Sequence, residues 1–140
     1  HEDLLTLFSG KKYMDISPRG QHVCVEPFNK WSKPSILLVN EGNYSDGHGF
    51  PYGYRTLGLG KIIGMPIPGT MTLVWWETQQ DPTLVFGIPQ MGIKANNGQY
   101  LEHQQLEPDT RVENDPNKLL QGIDQQLEQA VRELLKEINQ

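Results

Sequence analysis

The stretch Ser35-Ile36-Leu37-Leu38-Val39-Asn40-Glu41-Gly42-Asn43-Tyr44-Ser45-Asp46-Gly47, continued through Phe50 to Lys61-Ile62-Ile63-Gly64, decides the fold. Ile36 to Val39 is a continuous apolar run bounded by Pro34 and by Glu41-Gly42. Such a run is the pattern of a strand covered on both faces in an α/β protein. Asn40 to Gly49 is rich in Gly, Asn, Ser and Asp, which predicts a tight polar turn and then a short helix over about residues 50–57. Lys61 to Gly64 reads as the next strand. Together they predict a βαβ unit, parallel and right-handed.

Outward from this unit the signals weaken unevenly. Leu4, Leu5, Leu7 and Phe8 cluster ahead of Gly10 as the tail of a helix. Pro18, Gly20 and Pro27 mark an irregular connection with a short strand at His22 to Glu26. Met71 to Glu77, Thr83 to Ile88 and Met91 to Ala95 are β-branched and aromatic, as in a β-meander, and Asn96-Asn97-Gly98 is a strong turn signal. Asp115 as N-cap and Pro116 at the first helical position open one closing helix. Its apolar positions are Leu119, Leu120, Ile123, Leu127, Val131, Leu134 and Ile138, and the Gln-rich stretch from Gln121 to Gln129 reads as its solvent face.

The 140 residues, 36% hydrophobic and 21% charged, fit one globular domain. A net charge of −5 with no long Lys/Arg cluster excludes the electrostatic footprint of a nucleic-acid binder. The apolar runs fall far short of the roughly 20 residues that cross a bilayer, so no membrane span is expected. The single Cys24 cannot form an intrachain disulfide, which leaves cytoplasm and periplasm both open. His1-Glu2-Asp3 carries neither an initiator Met nor a signal peptide, so the expectation is a segment cut from a longer chain.

Ser45 falls directly after the central strand and before a helix. A tight turn there lifts a hydroxyl into the open, and the free N–H groups of a helix start can stabilise an oxyanion. Ser45 and Asp46 are equally good helix caps, and spacing leaves both readings open.

Asn40-Glu41, Ser45-Asp46-Gly47, Phe50 and Leu57-Gly58-Leu59-Gly60-Lys61-Ile62-Ile63-Gly64 resemble the nucleophile segment of the tricorn branch of the tail-specific, or C-terminal processing, serine peptidases. The Gly/Thr-rich stretch Met65 to Thr72, Glu102 ahead of Pro108-Asp109, and the closing helix extend the resemblance over nearly the whole chain. It implies an α/β fold of the crotonase-like (ClpP/crotonase) type, with stacked βαβ units, a small sheet and a C-terminal helix. It also implies Ser45 as acyl nucleophile, the Asp46 N–H as one oxyanion donor, and Glu102 as outer member of a Ser-His-Ser-Glu tetrad.

The resemblance places the base histidine, the second serine, a glycine-rich oxyanion segment and PDZ and β-propeller domains upstream. Residues 1–140 are then the C-terminal portion of a catalytic domain, inactive alone, acting on peptide or unfolded protein without metal or cofactor. The processing branch uses a lysine after the strand that follows the nucleophile helix. That stretch here is Pro66-Ile67-Pro68-Gly69-Thr70-Met71, and Lys61 comes too early, so the histidine-dependent mechanism is expected.

Asn43-x-Ser45-x-Gly47 lacks the first glycine of a G-x-S-x-G elbow, and Asp81-Pro82 reads as an ordinary turn. His48 reads as a polar residue at the helix start. Glu102-His103, Glu107 and Asp109 match no zinc or calcium spacing and read as a solvated acidic loop. Of Trp75 and Trp76, strand alternation sends one to the core and leaves the other as a candidate contact. A non-catalytic ligand- or peptide-binding module on the same scaffold is the alternative function.

Overall fold

The computed structural model describes residues 1–17, 21 and 23–139. Helix α1 (Glu2–Ser9) is followed by strands β1 (Met14–Ile16) and β2 (Cys24–Glu26), which pair antiparallel. His22, Pro18 and Gly20 of the expected connection lie outside the described residues; the strand itself covers Cys24 to Glu26.

The predicted βαβ unit is present. Strand β3 (Ile36–Val39) leads through the turn into α2 (Asp46–Thr56) and back to β4 (Lys61–Gly64), which pairs parallel to β3 with Ile36 opposite Lys61 and Val39 opposite Gly64. The helix starts four residues earlier than predicted, because Asp46-Gly47-His48-Gly49 already takes helical geometry despite its two glycines. A two-residue strand, β7 (Thr110–Arg111), adds parallel to β4 and completes a three-stranded sheet in the order β3-β4-β7. Asp109, just before β7, locks it there. Its carboxylate accepts from the Ile62 N–H at 2.7 Å and pairs with Arg55 at 3.2 Å, and its own N–H donates to the Ile62 carbonyl.

The core lies between α2 and this sheet. Val39, Tyr54, Ile62, Ile67 and Leu106 are buried together, with Leu5, Phe8, Leu37, Phe50, Tyr52 and Leu59 packed against them. Tyr54 is the largest side chain there. Its ring meets Phe8 and Phe50, and its hydroxyl donates to the Ser35 carbonyl at 2.8 Å while lying 2.7 Å from the Ser35 hydroxyl. One residue thus fastens the C-terminal half of α2 to the first residue before β3.

Other expectations change as well. The expected three-part meander is a two-stranded hairpin, β5 (Thr72–Thr78) with β6 (Val85–Gly92), because β6 runs straight through Pro89 with an irregularity opposite Leu73/Val74. Ile93 to Ala95 contributes only an isolated bridge, Lys94 with Tyr100, around the Asn97-Gly98 turn. Trp75 and Trp76 do point to opposite faces, but both are exposed, since the described residues lay no second layer over either face. The closing helix is two helices. Gly122 takes φ +81, which a side chain resists, and Asp124 caps a second start, giving α3 (Pro116–Leu119) and α4 (Gln125–Ile138).

The inward face of α4 is Gln126, Ala130, Glu133, Leu134 and Glu137, whereas Leu127, Val131 and Ile138 are exposed. Gln126, read from sequence as solvent-facing, is 9% exposed and donates to the Val112 carbonyl at 2.8 Å.

Replacing Tyr54 by Phe removes this donor from the part-buried Ser35 carbonyl. A loss of about 1–3 kcal/mol is expected, read as a lower midpoint in urea unfolding with unchanged slope. An unchanged midpoint would show that the ring alone holds α2 to β3.

Candidate active site

Ser45 stands at the junction of the β3 turn and α2 with φ 52 and ψ −111, and it makes no side-chain capping bond. A positive φ is uncommon for a residue with a Cβ and costs on the order of 1–3 kcal/mol, so the surroundings must impose it. They do so through two asparagines. The Asn40 side chain accepts from the Gly42 N–H at 2.9 Å, and the Asn43 Oδ1 accepts from the Asn40 N–H at 2.9 Å. The Asn43 Nδ2 then donates to the Gly47 carbonyl at 2.8 Å. Pro51, four residues on, has no N–H to offer that carbonyl, so the asparagine fills the place of the missing helical bond. The Ser45 N–H donates to the Thr70 hydroxyl at 3.3 Å.

Asp46 opens α2, and its backbone N–H has no hydrogen-bond acceptor among the described residues. Its carboxylate lies 2.8 Å from His1 Nδ1. His1, Ser45, Asp46, Met71, Thr72, Leu73 and Ile93 line one small cavity of about 20 Å³.

Glu102 is far from Ser45 in sequence and close in space. Both line a second cavity of about 160 Å³, together with Tyr44, Thr70, Thr72, Val74 and Pro89. Backbone pairing brings them together. Ile67 and Leu106 exchange backbone hydrogen bonds, and the His103 N–H donates to the Gly69 carbonyl at 2.9 Å. A Cβ on Gly69 would overlap the backbone of His103 and Gln104, so only glycine permits this approach.

One Glu102 oxygen accepts from the Thr72 hydroxyl and from the Met71 N–H, each at 2.7 Å. These bonds favour the charged form, the Thr72 hydroxyl most, and hold the Glu102 carboxyl below the usual carboxylate range. Among the described residues only Oε2 is used, which leaves Oε1 for a further donor.

Sequence reading put His48 at the helix start as a polar residue; it lies there, in the first turn of α2, but is buried. It is 1% exposed, its Nδ1 has no partner among the described residues, and burial lowers its pKa while the nearby Glu102 charge raises it. No sequence signal marked it, because a histidine near a helix start is as common in solvent. Lys61 lies away from the site, paired with Glu133 and Glu137 of α4. Glu107 bonds Gln105, and no group of three or more His, Cys, Asp or Glu is arranged to hold a metal ion among the described residues. Among the described residues, no helix is long and apolar enough to cross a membrane.

Thr72→Val tests the electrostatics. A depressed carboxylate pKa adds stability that is fully present above the unfolded-state value and lost as pH falls through the lower folded value. The variant is expected to bring the Glu102 titration, followed by carboxyl NMR, back toward the ordinary range and to make acid destabilisation less steep. An unmoved titration would assign the shift to other neighbours.

This geometry can be set beside known proteins. The model of peptidase family S41 matches residues 6–112. Tricorn protease of Thermoplasma acidophilum is 27% identical over 123 residues, covering 87% of this chain. Tricorn protease of Thermoplasma volcanium is 27% identical over 113 residues, covering 80%. The chain spans only 12% and 11% of the length of those relatives. A crystal structure of tricorn protease superimposes with a TM-score of 0.80 at 26% identity, over 93% of this chain and 13% of the other. The mixed α/β domain is therefore similar to part of the tricorn protease fold, and the chain belongs to peptidase family S41, in its tricorn-like, tail-specific group.

Proposed function

We propose that residues 1–140 are the nucleophile-bearing part of a serine endopeptidase catalytic domain of crotonase-like fold, which hydrolyses peptide bonds through an acyl-enzyme on Ser45. The observation that carries this reading is Ser45 at φ 52 on a strand-to-helix turn, in one cavity with Glu102. A strained turn that presents a hydroxyl beside a free N–H is the arrangement acyl transfer needs.

Ser45 Oγ attacks the scissile carbonyl carbon and gives up its proton to a base. The carbonyl oxygen, now negative, is held by the Asp46 N–H, which has no other acceptor among the described residues. Collapse breaks the C–N bond as the protonated base gives its proton to the leaving amine, and water, deprotonated by the same base, then attacks the acyl carbon and restores the serine hydroxyl. Glu102, fixed by Met71 and Thr72, acts through its second oxygen on the serine and histidine that the family resemblance places elsewhere in the intact protein.

No histidine of this chain is hydrogen-bonded to Ser45 among the described residues, which favours a base from outside the segment and an inactive fragment. Among the described residues, His1 is the histidine that lines a cavity with Ser45, and Asp46 holds its ring there. Substrate is a peptide or unfolded polypeptide. Upstream portions of the same protein complete the site.

Fluorophosphonate labelling of the intact protein is expected to be lost in Ser45→Ala and absent from the isolated segment. Labelling of the segment that disappears in His1→Ala would assign the base to His1. No labelling of a folded intact protein would support a binding module instead. Glu102→Gln is expected to lower kcat/KM by roughly a hundredfold or more, as removal of support for a general base does.

A further inference from the structure

Among the described residues, strand β5 has a partner on one side only, since β5 and β6 form a two-stranded sheet. Among the described residues, no hydrogen bond outside the β5–β6 ladder uses the backbone from Thr72 to Thr78. That open edge begins at Thr72, in both cavities that Ser45 lines. An extended chain can add to such an edge with its side chains alternating between the two faces.

The two faces differ. Thr72, Val74 and Trp76 alternate along one of them, and Thr72 and Val74 line the cavity shared by Ser45 and Glu102. Across the ladder Val74 faces Pro89 and Trp76 faces Gly87, so the irregularity in β6 leaves the β5 alternation intact. The Trp76 ring lies over Gly87, where an added Cβ would sit 3.1 Å from the nearest ring atom. Trp76 is 65% exposed yet seated on the neighbouring strand. A ring already held in place offers apolar contact with little further ordering cost.

We propose that Trp76, seated on Gly87, is a side-chain subsite for an apolar or aromatic residue of an extended peptide laid along β5. The inference rests on Ser45 marking the scissile bond. Thr72 to Trp76 spans four residues, or roughly 13 Å at about 3.3 Å per residue. The recognised side chain therefore sits about four positions from the cleaved bond, on one side of it. Val74 and Pro89, half-way along the same face, give the intervening residue a smaller apolar contact.

The test uses the intact protein and a set of quenched peptides in which one Phe is moved through the positions flanking the cleaved bond against an Ala background. A single position three to four residues from the bond is expected to raise kcat/KM about tenfold over Ala. Trp76→Ala should abolish that preference and Trp76→Phe keep most of it. Gly87→Ala, which displaces the ring, should weaken it, and Trp75→Ala on the opposite face should leave it unchanged. A preference that survives Trp76→Ala, or none at all, overturns the subsite while leaving Ser45-dependent cleavage standing.

Affinity of the same peptides for the Ser45→Ala protein, by fluorescence anisotropy, separates the two claims. Trp76-dependent binding with no cleavage by the unmodified protein keeps the subsite and removes the peptidase reading. Binding indifferent to Trp76 removes the subsite whatever the cleavage result.

Discussion

The parallel ladder between β3 and β4 fixes the place of everything else near Ser45. It sets Val39 beside Gly64, so the chain leaves both strands at the same edge of the sheet. The segment after β3 becomes the Ser45 turn, and the segment after β4 carries Thr70, whose hydroxyl accepts from the Ser45 N–H. Ligand sites of open α/β sheets lie beyond the carboxyl ends of the strands for this topological reason. The ladder is itself protected by burial, because Ile62 and Ile63 are fully covered and Tyr54 clamps Ser35 from α2.

On that frame, the strain at Ser45 is held by groups that also satisfy the turn. Asn40 and Asn43 each bond the backbone near them, and Asn43 reaches into α2 to a carbonyl that Pro51 leaves without a helical donor. A strained conformer persists only where its surroundings over-determine it. Here proline creates the vacancy and asparagine occupies it, so the turn and the first half of α2 are one hydrogen-bonded unit.

The parts of this arrangement legible in sequence were those with a local cause. The apolar run Ile36 to Val39, the polar turn and the strand Lys61 to Gly64 announce the βαβ unit, and the resemblance around Asn40 to Gly64 singled out Ser45 and Asp46. The α3–α4 break was hidden because the apolar period continues across Gly122, and only its positive φ and the Asp124 cap interrupt the helix. The two residues of β7 carry no pattern of their own; Asp109 and Ile62 recruit them through long-range bonds. The burial of His48 was not legible in sequence, because it depends on what packs around the start of α2. The cavity joining Ser45 to Glu102 depends on the backbone approach of Gly69 to His103, a contact between distant segments.

The hairpin obeys a different constraint from the sheet. A two-stranded ribbon is marginal in water and depends on its cross-strand pairs. Trp76 over Gly87 is such a pair: it covers a strand glycine that contributes no side chain of its own. Tyr100 does the same for Gly92 while its ring meets the Lys94 ammonium at 4.9 Å. Both aromatics are thus held by the strand they cover rather than by a core, which leaves their outer faces exposed. At Thr72 the same hairpin meets Glu102, whose carboxylate binds the hydroxyl of that first residue of β5. The ribbon is consequently anchored at the end nearest Ser45 and, among the described residues, open along its length.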